Sequence, residues 1–152
     1  MSQDFVTDLR DDAPTSATDS GRAIRVVAAV LRRRGRYLLA QRPAGKVHAG
    51  CWEFPGGKLE PGENSALGLR RELAEELGLG RVSVQAQLAR LVGSQDVDLS
   101  VQFLGVRSRE AVLPLEHSAL GWFKPAEALL LPLAPLDRRF VAEYLSTAPE
   151  IA

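Results

Sequence analysis

The 152-residue chain contains one cysteine, Cys51, and only two histidines, His48 and His117. An intrachain disulfide is excluded, and no Cys/His set has the spacing of a zinc site. A reducing compartment fits, so a cytoplasmic location is expected. Charge of one sign is missing too, because 19 basic and 19 acidic residues give a formal net charge of zero. Without a positive field, stable binding to nucleic acid is not expected. No run approaches the ~18 to 20 apolar residues of a membrane span, and residues 2–22 lack the apolar stretch of a secretory signal. Those residues carry five Asp and two Arg, with only Phe5, Val6 and Leu9 as larger apolar anchors. Residues 1–22 are therefore expected to form a flexible tail. What remains is ordinary globular usage, 45% apolar and 25% charged, which predicts one folded domain over residues 23–148 and specifies no oligomeric state.

From Ala23 the pattern changes. AIRVVAAVLR and YLLAQR, separated by RRGR, predict two adjacent strands. PAGKVHAG, with Pro43, Gly45 and Gly50, predicts a loop. WEF at 52–54 reads as a short strand, and PGGKLEPGE, with two prolines and three glycines in nine residues, is expected to turn repeatedly and to meet a ligand. Residues 64–77 then become helical, with Asn64 as N-cap and Gly78 as stop. Ala66, Leu69, Leu73 and Leu77 fall within an arc of roughly 80°, a core-facing stripe. RVSVQAQLARLV and DLSVQFLGVR predict strands joined through VGSQD, ALGWFK a further short strand, and PAEALLL and LDRRFVAEYLST a short and a longer helix.

Chemistry concentrates where the glycine turn meets the helix. Glu72, Glu75 and Glu76 stand at i, i+3 and i+4 and project within about 100° of arc. Carboxylates that close repel one another, so the cluster is unfavourable unless cations neutralise it, and oxygen-only donors suit Mg²⁺ or Mn²⁺ bridging to phosphates. Arg71, four residues before Glu75, is placed to hold it by an ion pair. Gly56 and Gly57 let backbone amides and carbonyls approach a ligand. A solvated acidic face is the bland alternative, but alternating signs would serve that purpose better.

The series Gly57, Glu63, Arg71, Glu72, Leu73, Glu75, Glu76, Gly78, Leu79 fits GX5EX7REUXEEXGU, with U aliphatic, at every constrained position. The chain resembles the Nudix hydrolases on this pattern, which arises by chance in roughly one in a million chains of such composition. The resemblance runs from about Ala23 to Leu145. It implies a mixed α+β (α/β) fold with a mixed β-sheet between α-helices. It also implies Mg²⁺-dependent cleavage of a nucleoside triphosphate to a monophosphate and pyrophosphate, with Mn²⁺ as the other suitable ion. WEFPGGKLEPGE is similar to the MutT-like branch, which implies sanitation of oxidised or modified nucleotides such as 8-oxo-dGTP. ALGWFKPAEALLLPLAPLD is similar to CTP pyrophosphohydrolases, which implies CTP or modified dCTP as the alternative. Hydrolysis of ADP-ribose or dinucleotides is a more distant reading, as is a nucleotide-binding regulator, for which the intact pattern argues less.

Carried over by position, the resemblance makes Glu72, Glu75 and Glu76, with the Gly56 carbonyl, the metal ligands. It places Arg71 and Glu116 in the catalytic set, with Glu72 and Glu116 as candidates for general base. Substrate contacts fall to Arg42 at the phosphates and to Glu53, Gly56, Gly57, Lys58 and Asp137. Each has a plainer alternative. Arg42 reads equally as a surface arginine at a strand end, and Glu116 as an exposed loop residue. His117 reads as structural, and Trp52 and Phe54 as core, with Trp122 open to a base. Asp137 stands where the MutT pattern has an asparagine. Ionised, it only accepts hydrogen bonds, which suits guanine and cytosine alike, while its alternative role is N-cap of the last helix.

Overall fold

The computed structural model describes residues 23–93 and 98–146. The expected tail and most of the VGSQD turn lie outside the described residues. Strand β1 (Ile24–Arg33) leads by a tight turn into β2 (Arg36–Gln41). Arg34 and Gly35 both take positive φ, 53° and 78°, the twist that a two-residue hairpin requires. β3 (Trp52–Glu53), β4 (Gly56–Lys58), helix α1 (Ser65–Leu77), β5 (Ser83–Val92), β6 (Leu99–Arg107), β7 (Ala119–Phe123), α2 (Pro125–Ala128) and α3 (Pro135–Phe140) follow. A π-helical stretch, Val141–Leu145, continues from α3.

β1 organises the mixed sheet. It runs parallel to β6 and antiparallel to β4, β5 pairs antiparallel with β6, and β2 carries β3 and β7 as antiparallel partners. The alternation of a strand sends Val26, Ala28 and Val30 into one core cluster and Val27, Ala29 and Leu31 into the other. A strand covered on both faces must be apolar almost throughout, which is why AIRVVAAVLR shows no polar alternation. Leu69, Leu73 and Leu77 of α1 close one face, and Leu136, Phe140 and Val141 close the other. The sheet is thus layered between helices, as the resemblance implies. Each of the three α1 leucines, fully buried, contributes about 2 kcal/mol.

The ends of α1 follow the sequence expectation. Asn64 Oδ1 accepts from the backbone N–H groups of Ala66 (2.8 Å) and Leu67 (3.2 Å), and Gly78 closes the helix in the left-handed region at φ 73°. Two expectations need correction. GGK does not turn: Gly56–Lys58 is a strand in register with Ala28–Val26 of β1. The last helix begins at Pro135 with Ala134 as its N-cap, so Asp137 is inside the first turn and is not the cap. Trp52 sets this start, its N–H donating to the Pro132 carbonyl (2.8 Å) and its carbonyl accepting from Ala134 (3.1 Å).

Candidate active site

The strand β4 crosses directly under α1 because two glycines permit it. A Cβ at Gly56 would lie 1.9 Å from the Val27 carbonyl oxygen, and its φ of 155° is itself a glycine conformation. At Gly57 a Cβ would meet the Glu72 carboxylate at 2.5 Å. The glycines therefore make room for a carboxylate against the sheet.

Arg71 is the hub of one polar cluster. Its Nε and Nη2 donate to the two carboxylate oxygens of Glu63, each at 2.9 Å, while Nη1 donates to Glu72 at 3.1 Å and Nη2 also reaches the Lys58 carbonyl at 3.3 Å. Such a bidentate fork is strong and directional. The Arg71 hydrogen bonds hold the Glu63 carboxyl down to about 2, and the same pairing keeps the guanidinium firmly charged. Glu75 is a more distant partner at 3.6 Å, with about half of its side chain exposed. The expected ion pair of Arg71 with Glu75 is present, and the shorter contacts of Arg71 orient Glu63 and Glu72 as well.

The three clustered glutamates do not share one environment. Glu76, which the stripe argument leaves on a free face, is buried at 6% exposure and accepts from the Gly56 N–H at 3.3 Å. Burial and the adjacent Glu72 charge push its carboxyl well above the usual range, and Glu53 and Glu116 add to the rise. Burial also raises Glu72, against the pull of Arg71. Two carboxyls desolvated against one another form an electrostatic debt that a cation would relieve. Among the described residues no three His, Cys, Asp or Glu side chains converge as a closed metal cage. Hard divalent ions that keep waters and take phosphate oxygens do not need one.

A second polar cluster lies where β2, β3 and the β6–β7 connection meet. Arg42, 7% exposed, donates from Nε to the Val47 carbonyl (2.7 Å) and from Nη1 to both carboxylate oxygens of Glu53 (3.3 and 3.4 Å). His117 Nε2 lies 3.2 Å from Glu53 Oε2. Burial raises the Glu53 carboxyl, while the His117 hydrogen bond and the Arg42 charge act to lower it. Arg42 is therefore no surface arginine. Beside this cluster, Asp137 is 4% exposed and its Oδ1 accepts from the Phe54 N–H at 3.0 Å. Burial pushes its carboxyl up to about 7 despite that bond. The ionised form only accepts, and the protonated form that this rise favours also has a proton to donate.

Glu116 is exposed in the β6–β7 connection, and Lys58 is half-buried at the end of β4. Of the aromatics, Phe54 is core and packs edge-on against Phe103 and Phe140, with centroids at 5.8 and 5.4 Å. Trp52 meets Phe123 edge-on at 5.3 Å, and the Trp122 ring is covered by the Arg33 guanidinium at 5.1 Å. Glu63 is a site residue that the sequence does not single out, although its place in the pattern eight residues before Arg71 is the available signal. His117, expected as structural, joins the second cluster.

The match to known proteins now has a geometry to explain. The NUDIX domain family matches residues 21–144. The chain belongs to the Nudix family. Among its Nudix relatives, a CTP pyrophosphohydrolase of Escherichia coli is 42% identical over 129 residues, covering 81% of this chain and 92% of that protein. An 8-oxo-dGTP diphosphatase of Haemophilus influenzae is 42% identical over 66 residues, 43% of this chain and 47% of the relative. The crystal structure of a MutT Nudix hydrolase from Burkholderia pseudomallei superposes with a TM-score of 0.64 at 28% identity, covering 80% of this chain and 98% of that one. The fold and the enzyme class expected from the sequence hold, and Nudix hydrolases generally need a divalent metal. Among the described residues no helix is long and apolar enough to cross a membrane.

Proposed function

We propose that this Nudix protein hydrolyses nucleoside triphosphates to a monophosphate and pyrophosphate, and that it removes oxidised or modified nucleotides from the precursor pool. One observation carries the reading: a buried Glu76 beside the partly buried, like-charged Glu72, set against Gly56–Gly57, next to a charge-compensated Glu53 and a buried Asp137. The first part has the chemistry of a phosphate end and the second that of a base end. Glu72 and Glu76, with the Gly56 carbonyl and with Glu75 on the exposed flank, would hold Mg²⁺ or Mn²⁺. A bound divalent ion supplies charge neutralisation at the phosphoryl oxygens and a more acidic water.

The chain's own residues do the rest. Arg71 fixes Glu63 and Glu72, so that the Glu72 carboxylate is presented in one orientation. Of the two candidates for general base, Glu72 is the better placed, because it is largely covered and burial raises its carboxyl, whereas Glu116 is exposed. Water's oxygen bonds to phosphorus, the bridging P–O bond between the α- and β-phosphates breaks, and the proton passes to Glu72. Arg42 serves the substrate by anchoring Glu53. Glu53 accepts from base amino or imino hydrogens, and Asp137 complements it as acceptor or donor. Action on CTP or modified dCTP is the second reading, favoured by the 42% identity to a relative named CTP pyrophosphohydrolase.

A panel of 8-oxo-dGTP, dGTP, CTP and modified dCTP assayed for pyrophosphate release with Mg²⁺ tests both. A clear preference within this panel is expected. Release of phosphate alone, or turnover confined to ADP-ribose or dinucleotides, overturns the proposal.

A further inference from the structure

We infer that His117 is a positioning residue whose imidazole Nε2–H fixes the Glu53 carboxylate in the orientation from which it meets the nucleotide. The side chain is 7% exposed and its Nε2 lies 3.2 Å from Glu53 Oε2. An ionised carboxylate only accepts, so the proton between them sits on Nε2. The other ring nitrogen, Nδ1, is buried and has no hydrogen-bond partner among the described residues. Leaving a buried nitrogen unpaired is unfavourable. The ring is therefore oriented for the benefit of Glu53 and at the expense of its own hydrogen bonding, which a space-filling histidine would not require.

The backbone delivers the ring from a fixed place. On one side of His117, the Leu115 N–H donates to the Glu76 carbonyl at the end of α1 (3.1 Å), and on the other the Ser118 N–H donates to the Gln41 carbonyl of β2 (3.0 Å). Further back, Arg33 Nη2 donates to the carbonyls of Ser108 (2.6 Å) and Glu110 (2.8 Å), and Leu113 N–H caps the Leu77 carbonyl (3.0 Å). The connection is tied to α1 and to two strands. Glu53 is gripped from two sides, by Arg42 and by His117, and neither partner alone sets the direction of both oxygens.

The kinetic arm of the test rests on the hydrolase proposal, and the spectroscopic arm does not. His117→Leu keeps the volume and removes the donor, while His117→Gln restores a donor. Against the preferred nucleotide, His117→Leu is expected to lower kcat/KM by roughly 10- to 100-fold, the usual effect of removing a group that orients a site ligand. His117→Gln is expected to recover most of it. In a Glu53→Gln background, His117→Leu should add nothing, because the two act as one unit. A His117→Leu variant within twofold of the parent, or one whose loss multiplies with that of Glu53→Gln, overturns the inference. In the second arm, ring ¹⁵N resonances of the metal-free protein should show His117 protonated at Nε2, with a shift on Glu53→Gln. A proton confined to Nδ1, or a ring that ignores Glu53→Gln, overturns it even in a protein that hydrolyses nothing. Should His117→Leu fail to fold by circular dichroism, the Gln variant and the resonances carry the same decision.

Discussion

The two polar clusters of the molecule hold similar residues and opposite electrostatics. At Glu53 a buried carboxylate has Arg42 and His117 against it, and both act to lower its pKa. At Glu76 an equally buried carboxylate faces Glu72 and lies well above its ordinary pKa. Burial alone would raise both, so the neighbours decide. The compensated cluster is complete within the chain. In the other, Arg71 reaches Glu72, but Glu76 has no cationic partner among the described residues, and a bound cation would relieve it.

Removing the repulsion gives the largest effect. Glu76→Gln should leave a neutral side chain in the same volume and raise the melting temperature of the metal-free protein, while pyrophosphate release at saturating Mg²⁺ falls by about 10³-fold. A variant that keeps parental turnover would break the contrast between the clusters. Near the compensated cluster, Asp137→Asn should reorder base preference by roughly 5- to 150-fold in relative kcat/KM, the range for one buried hydrogen bond made or opposed. An unchanged ranking would place Asp137 outside base recognition.

The same substitution has a signature in stability. Burial pushes the folded Asp137 carboxyl up to about 7 from its ordinary 3.8. Its folded value is raised, so its stabilising contribution is complete below about 3.8 and is lost as pH rises through about 7. The loss is on the order of 4 kcal/mol at most. Melting temperatures measured between pH 4 and pH 8 should therefore fall with pH more steeply in the parent than in Asp137→Asn, and parallel curves would refute the shift. The smallest effect is expected away from both clusters. Asn64→Ala removes the cap of α1 and should lower stability by ~1 kcal/mol with kcat/KM unchanged, read by urea unfolding and the same assay.

Local patterns were the legible part. The cap at Asn64, the stop at Gly78 and the leucine stripe depend on neighbours within a few residues, and they appear in the structure where the spacing placed them. The two adjacent strands on either side of RRGR were legible for the same reason. Gly56–Lys58 misled because glycine and proline signal turning, whereas here glycine admits a close strand, a fact that depends on Val27 and Glu72. Glu76 misled because an apolar stripe says which residues face the core and not which polar ones are covered by another segment. The Glu53–His117 contact joins residues 64 apart in sequence. No periodicity reports such a pair.

The missing Cβ at Gly57 ties two positions of the chain into one heritable unit. While Glu72 keeps its place, 2.5 Å from where that carbon would stand, even alanine must displace the carboxylate. Once Glu72 is shortened to alanine, the same space opens and the glycine is no longer required by sterics. The order of substitution then matters: Gly57→Ala introduced first meets the intact carboxylate, and introduced second it meets none.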